Sequence, residues 1–177
     1  PASRRSVLSS VRSPGPFEGT PTAGYYFVTD ADRRWPEERQ QEHMRGLSMP
    51  KLWNMSIHKV YPGRCLQQQH LRRVESKVRQ SRLLASRSFV AGWAHYGEHV
   101  MAEVGFGRGD AAIRLGQLAE ALVQLARVVV AIRLHCEDLS VEQGMRIFRD
   151  EAFLDERIAR QEAERGTGDP AYLVASL

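Results

Sequence analysis

The most apolar stretch of the chain, residues 115–134, restricts the possible fold more than any other feature. Asp110 is a suitable N-cap in front of it, and the pattern predicts one long helix over residues 111–135. Polar side chains interrupt the stretch: Gln117, Glu120, Gln124, Arg127 and Arg133. Such groups are costly inside a bilayer, so we predict a buried helix of a helical domain and no membrane contact.

Other capping signals place further helices around this one. Pro36 and Pro50 can each open a helix, the first ending by residue 46 and the second continuing into residues 57–63. Residues 66–88 form a basic helical segment, and Gly105 can end a helix over residues 89–104. Ser140 opens a capping box with Gln143, and a last helix is expected over residues 155–165, stopped by Gly166.

Strand composition is confined to residues 25–29, the one convincing strand. Residues 1–22 are rich in Ser, Pro, Gly and Arg, which predicts an irregular N-terminal arm. Residues 23–177 are therefore expected to form a single domain, mainly α-helical, with one or two short strands.

Charge and cysteine content exclude several functional classes. The net charge is +4, and basic residues cluster at Arg72, Arg73, Lys77, Arg79 and Arg82. Because this stretch has no aromatic residue on which a base could stack, a solvated helix surface is favoured over nucleic-acid binding.

The two cysteines, Cys65 and Cys136, do not make a disulfide framework, although a single disulfide bond between them stays possible. No apolar signal-peptide core is visible, and we expect a cytoplasmic protein.

Residues 57–67 contain the outline of a metal motif. A histidine, His58, is followed by Lys59, and Arg64 follows after Pro62 and Gly63. Residues six apart do not share a helix face, so the Pro-Gly pair is expected to turn a corner between His58 and Arg64. Two permanent cations beside a would-be dication oppose metal binding.

Several blocks in the same order make this segment resemble a known family. They are Pro-Gly-Pro-Phe-Glu at 14–18, Tyr-Phe-Val-Thr at 26–29, the 35–46 segment with Glu42 and His43, Ser-Lys-Val-Arg at 76–79, Phe-Val-Ala-Gly-Trp-Ala-His-Tyr at 89–96, Ile-Arg-Leu-His at 132–135, and residues 165–173. The chain resembles the C-terminal part of bacterial domain-of-unknown-function family 885, proposed zinc metallopeptidases with a His-Glu-x-x-Pro-Gly-His motif. The resemblance implies a helical zinc-peptidase-like scaffold, the catalytic half of a longer protein, with more chain before residue 1 and after residue 177.

The resemblance also shows where the chain departs from the family. His58 matches the first zinc ligand of the family motif. Lys59 replaces the general-base glutamate of the motif, and Arg64 and Ala91 replace the two other zinc ligands. A degenerate, inactive relative without a cofactor is therefore implied, one that retains a peptide or protein partner. Substrate contacts could remain at Tyr61, Arg127, Arg133, His135 and Tyr172, although the three residues of the long helix could equally form structural ion pairs.

Residues 95–99 leave a second function open. They read His-Tyr-Gly-Glu-His, an H-x-x-E-H pattern that can hold a metal on one helix face. A relocated site at His95, Glu98 and His99, with His58 as a further ligand, would make the protein an active metal-dependent hydrolase. A partial scaffold would also expose apolar surface, so we expect self-association or a partner segment.

Overall fold

The computed structural model describes residues 8–19, 23–107 and 109–168. The protein is mainly helical with a two-stranded sheet, which confirms the predicted fold class. The chain divides into two compact units. Unit 1 contains Pro1–Ala85 and Trp93–Arg114, and unit 2 contains Ser86–Gly92 and Leu115–Leu177.

In chain order the elements are β1 (Ser9–Arg12), β2 (Tyr25–Val28), α1 (Glu37–Gly46), α2 (Met49–Lys59), α3 (Arg64–Leu71), α4 (Lys77–Gln80), α5 (Arg87–Glu103), α6 (Ala111–Cys136), α7 (Val141–Asp150) and α8 (Glu156–Gly168).

The sheet of unit 1 corrects the prediction of an irregular arm over residues 1–22. Residues Ser9–Arg12 form strand β1, which pairs antiparallel with β2 from Ser9 opposite Val28 to Arg12 opposite Tyr25. The prediction is wrong for these four residues, because a partner strand satisfies backbone groups that composition alone does not reveal. Residues 1–7 and 20–22 lie outside the described part of the chain.

The interior of unit 1 contains several polar side chains. His43 is buried and its Nε2 lies 2.7 Å from the carbonyl oxygen of Thr29. Asn54 is 3 % exposed, and its amide donates to the carbonyl oxygens of Pro50 and Ile113 at 3.0 and 3.1 Å. These bonds compensate the loss of water around the buried groups, so polar contacts as well as apolar ones hold unit 1 together.

The continuous helix expected over residues 66–88 is broken twice. α3 ends at Leu71, α4 covers only Lys77–Gln80, and α5 begins at Arg87. Three serine hydroxyls in or beside the breaks accept hydrogen bonds from nearby backbone N–H groups: Ser76 from Arg79, Ser81 from Leu83 and Ser86 from Phe89. Local bonds of this kind compete with helix formation, which explains why the basic composition did not produce one helix.

The predicted caps on the longer helices are confirmed. Gly105 has φ +80°, and the N–H groups of Gly105 and Phe106 donate to the carbonyls of Ala102 and Met101, which is a Schellman ending for α5. The carboxylate of Asp110 accepts from the Ala112 N–H at 2.8 Å at the start of α6. Both bonds of the Ser140–Gln143 capping box are present.

Unit 2 is built on α6, whose inner face packs into the main apolar core. That core contains Val123, Ala126, Val130, Ala131, Leu139, Met145, Phe148, Ala152, Ala159 and Ala163. The prediction of a buried helix is wrong for the opposite face, because only 28 % of the most apolar window of α6 is buried. By length and composition alone, α6 could also cross a membrane.

Gly166 does not stop α8 as predicted. The helix continues to Gly168, and Gly166 is buried within it. The His135 ring nitrogen Nε2 lies 3.0 Å from the Gly166 carbonyl oxygen. A glycine inside a helix costs about 1 kcal/mol relative to alanine, an amount that tertiary packing readily outweighs.

Candidate metal centre

The turn between α2 and α3 positions one half of the candidate site. Gly63 fits there because it lacks a side chain: a Cβ atom would lie 2.0 Å from the carbonyl oxygen of His58. Trp93 on α5 donates from its indole nitrogen to the Pro62 carbonyl at 2.9 Å, and Gly97 brings the α5 backbone close to Pro62. These contacts hold the end of α2 against α5.

Three side chains converge where the two helices meet. His58 comes from α2, and His95 and Glu98 come from one face of α5 at positions i and i+3. Their potential ligand atoms all lie within 4.8 Å of one another. His58 Nδ1 makes a short hydrogen bond with Glu98 Oε1, and His95 Nδ1 lies 3.4 Å from the same oxygen. The two imidazole rings are 4.8 Å apart between centroids and meet edge to face.

Burial and neighbouring charges determine the protonation states in this cluster. Burial lowers the pKa of His58, and the charges of Arg64 and His95 lower it further. The hydrogen bond that Glu98 accepts from His58 and the charge of Glu98 act in the opposite direction but are outweighed. Burial alone would raise the pKa of Glu98, but hydrogen bonds and charges from His58 and His95 outweigh it and lower this pKa. At neutral pH the cluster therefore contains a carboxylate next to a neutral His58, which are the forms that bind a metal ion.

Lys59 and Arg64, the two cations that were expected to oppose metal binding, lie in different environments. The Lys59 ammonium donates to the carbonyl and hydroxyl oxygens of Ser9, the latter at 2.8 Å. Lys59 is therefore part of the contact between α2 and β1. Arg64 is exposed at the start of α3, and its charge is close enough to affect the pKa of His58.

The donor set suits a transition-metal ion of intermediate softness. Two imidazoles and one carboxylate are ligands that zinc accepts in tetrahedral sites, with bonds of about 2.0–2.2 Å. Ligand atoms in such a site lie about 3.4 Å apart, so a small rearrangement would suffice, in which the short His58–Glu98 contact lengthens. Three protein ligands would leave one coordination position open.

The pKa shifts predict that acid destabilises the fold through this cluster. His58 and Glu98 both have lower pKa values when folded, so their contributions are fully present above the ordinary histidine value of 6.5. We expect the urea midpoint of unfolding to fall as the pH drops below 6.5 for His58 and below 4.5 for Glu98. His58→Gln should flatten the first part of this dependence. Greater stability at pH 5 than at pH 7 would contradict the prediction.

Other predicted site residues of the α2–α5 region lie apart from the cluster. His99 is half exposed and pairs with Glu103 at 3.1 Å, so the predicted H-x-x-E-H site contributes only its first histidine and its glutamate. His99 lies on the solvent side of α5, while His58 supplies the third potential ligand. Tyr61 is 66 % exposed, and Ala91 is buried four residues before His95 in α5.

The predicted substrate-binding residues of α6 make structural contacts within unit 2. Arg127 donates to Glu162 at 2.8 Å and to Gln124. Arg133 pairs with Glu137 on the helix surface, and His135 contacts the Gly166 carbonyl. These contacts are those of the structural alternative, and substrate binding by the three side chains stays a prediction. Tyr172 lies outside the described residues.

Two further predictions concern the cysteines and the basic segment. Cys65 and Cys136 are both free thiols. Arg72 and Arg82 donate to the backbone carbonyl oxygens of Glu18 and Pro14. Nucleic-acid binding by this segment is a function that we do not expect.

Fold and site together define a mainly helical protein with a partly buried His-His-Glu cluster between α2 and α5. The chain belongs to the family described as "Bacterial protein of unknown function (DUF885)", whose family model matches residues 1–176. A solved structure, described as "a putative lipoprotein of unknown function from Shewanella oneidensis", superimposes with a TM-score of 0.81 at 25 % identity. That match covers 94 % of this chain but only 30 % of the Shewanella chain. No curated protein matches the sequence.

Proposed function

We propose that unit 1 binds a divalent transition-metal ion of the zinc class through His58, His95 and Glu98. The convergence of their ligand atoms within 4.8 Å carries this proposal. Burial supports it, because the three side chains are 16 %, 23 % and 6 % exposed and little solvent competes with a metal. The lowered pKa values of His58 and Glu98 keep both groups deprotonated at neutral pH.

Within the family, the protein would be a degenerate zinc-peptidase relative that has kept a metal site and lost peptide hydrolysis. Lys59 stands where the resembled motif has its general base, and a protonated ammonium cannot accept a proton from a metal-bound water. Its bonds to Ser9 give it a structural role instead. The remaining ligand set differs from that of the resembled motif, since only His58 is shared.

Metal titration tests the site directly. We expect the metal-free protein to bind one equivalent of zinc in calorimetry. His58→Ala, His95→Ala and Glu98→Gln should each weaken binding by tenfold or more, as about 10- to 100-fold losses already follow from disturbing residues around a metal site. Elemental analysis of the purified variants provides an independent readout.

His99→Ala is the matched control, since it removes an exposed imidazole from the same helix. It should leave the zinc affinity unchanged, and circular dichroism should show that all four variants are folded. The proposal is wrong if the wild-type protein binds no zinc, or if His99→Ala weakens binding as much as His95→Ala does.

Metal-dependent hydrolysis at the same centre is a second candidate. It is favoured by the three-ligand set, because the open coordination position could hold and activate a water molecule. Cleavage of a peptide library by the zinc-loaded protein, lost after chelation and in His95→Ala, would establish it. No cleavage by fully zinc-loaded protein would leave metal binding as the function.

A further inference from the structure

The chain between α3 and α5 exposes aliphatic and cationic side chains next to one another in sequence. Val78, Leu83 and Leu84 are 61 %, 95 % and 65 % exposed. Residues 72–85, hereafter the 72–85 segment, also contain five cations and a single acid, Glu75. The whole segment belongs to unit 1. We propose that the 72–85 segment docks onto the surface of an anionic lipid bilayer.

The cations of this segment fall into two groups. Arg72 and Arg82 have a structural contact, because both donate to backbone carbonyl oxygens of the chain between β1 and β2. Three other cations are exposed, and none of the three forms an ion pair with any residue that the structure describes: Arg73, Lys77 and Arg79. Several unneutralised charges in one short segment attract an anionic surface, and each adds to the binding.

The two leucines lie in a bend and not in a helix. α4 ends at Gln80, and α5 begins only at Arg87. The Ser81 hydroxyl accepts from the Leu83 N–H at 3.3 Å, which helps to fix the backbone of this bend. Exposed leucines are unfavourable in water, whereas insertion between lipid headgroups removes their side chains from it.

A bilayer fits this combination better than a protein or a nucleic acid does. A protein partner needs a shaped surface of roughly 800 Å² per side, and the core of such an interface is depleted of charged residues. A nucleic acid would use the cations but leave Leu83 and Leu84 in water, and no aromatic residue of the segment can stack on a base. Lipid accepts both kinds of side chain, since its headgroups neutralise the cations and its acyl chains take up the leucines.

The proposed contact lies on the membrane surface and does not cross the membrane. It differs from the sequence-based expectation of no membrane contact, which depended on the polar side chains within residues 115–134. Because only a few cations and aliphatic side chains take part, the binding should be weak and reversible.

Co-sedimentation of the full chain with lipid vesicles tests the proposal. We expect binding to phosphatidylcholine vesicles that contain about one third phosphatidylglycerol, and much less binding to pure phosphatidylcholine or at about 0.5 M salt. Lys77→Gln/Arg79→Gln should weaken binding about 25-fold, at about fivefold for each charge. Leu83→Ser/Leu84→Ser should weaken it by about tenfold or more. Unchanged urea midpoints should show that both variants are folded, because all four side chains are exposed.

Two double variants provide the controls. Arg33→Gln/Arg45→Gln also removes two exposed cations from unit 1, outside the 72–85 segment. Leu118→Ser/Leu125→Ser removes two exposed leucines from α6. Both variants should bind the anionic vesicles as the wild-type protein does.

Three results would overturn the proposal. The first is a wild-type protein that does not bind the anionic vesicles. The second is binding that is lost in Leu118→Ser/Leu125→Ser and kept in Leu83→Ser/Leu84→Ser, since α6 would then be the membrane contact. The third is binding that needs the cations but not Leu83 and Leu84, because any polyanion, including a nucleic acid, would then serve as the partner.

Discussion

Replacing Gly63 with alanine should unfold unit 1 or prevent His58, His95 and Glu98 from converging. The added Cβ would lie 2.0 Å from the carbonyl oxygen of His58 and 2.3 Å from that of Ile57. Both are backbone atoms at the end of α2, so a rotamer change cannot relieve the overlap. We expect a loss of about 4 kcal/mol or more in the free energy of unfolding, measured by urea denaturation.

Gly97→Ala provides the matched control, because it adds the same methyl group on the other side of the contact. The Cβ there would lie 3.5 Å from Pro62 Cγ, an ordinary van der Waals distance. Since alanine is favoured over glycine within a helix by about 1 kcal/mol, this variant should be as stable as wild type or more so. Equal effects of the two substitutions would show that the turn does not need glycine at position 63.

Replacing Glu162 with glutamine should destabilise unit 2 by about 3 kcal/mol. Glu162 is 6 % exposed and accepts from Arg127 at 2.8 Å and from Arg165 at 3.2 Å. The substitution keeps the size of the side chain but removes the charge, so the attraction between Glu162 and Arg127 is lost in a mostly buried place. The loss should be visible as a lower urea midpoint.

Glu137→Gln is the corresponding surface change. Glu137 pairs with Arg133 at positions i and i+4 of α6, and both side chains are about half exposed. Exposed pairs of this type contribute only about 0.3–0.5 kcal/mol, so the variant should unfold close to wild type. A Glu162→Gln protein as stable as Glu137→Gln would mean that the buried pair does not hold α6 to α8.

Local sequence signals predicted the long helices well. The caps at Gly105, Asp110 and Ser140 depend on neighbouring backbone groups, and a single sequence contains that information. Strand β1 could not be found in the same way, because Ser9–Arg12 gains its stability from pairing with residues far along the chain. The outer face of α6 was misjudged for a related reason: apolar composition does not tell which partner covers a face.

The residues of the candidate site could be predicted from the sequence better than their spatial arrangement could. His95 and Glu98 were recognisable from their spacing, and His58 from the Pro-Gly turn that follows it. Their convergence depends on contacts between α2 and α5, including the Trp93 bond to Pro62, which no local pattern encodes. The exclusion of His99 follows from which side of α5 faces α2.

The bonds of Lys59 to Ser9 also restrict how this sequence can change. A glutamate at position 59 would restore the residue of the resembled motif, but its carboxylate would face the carbonyl oxygen of a serine that is 1 % exposed. The Ser9 hydroxyl could donate to this carboxylate, but the Ser9 carbonyl would lose the donor that Lys59 supplies in a buried place. A glutamate at position 59 would therefore weaken the contact between α2 and β1.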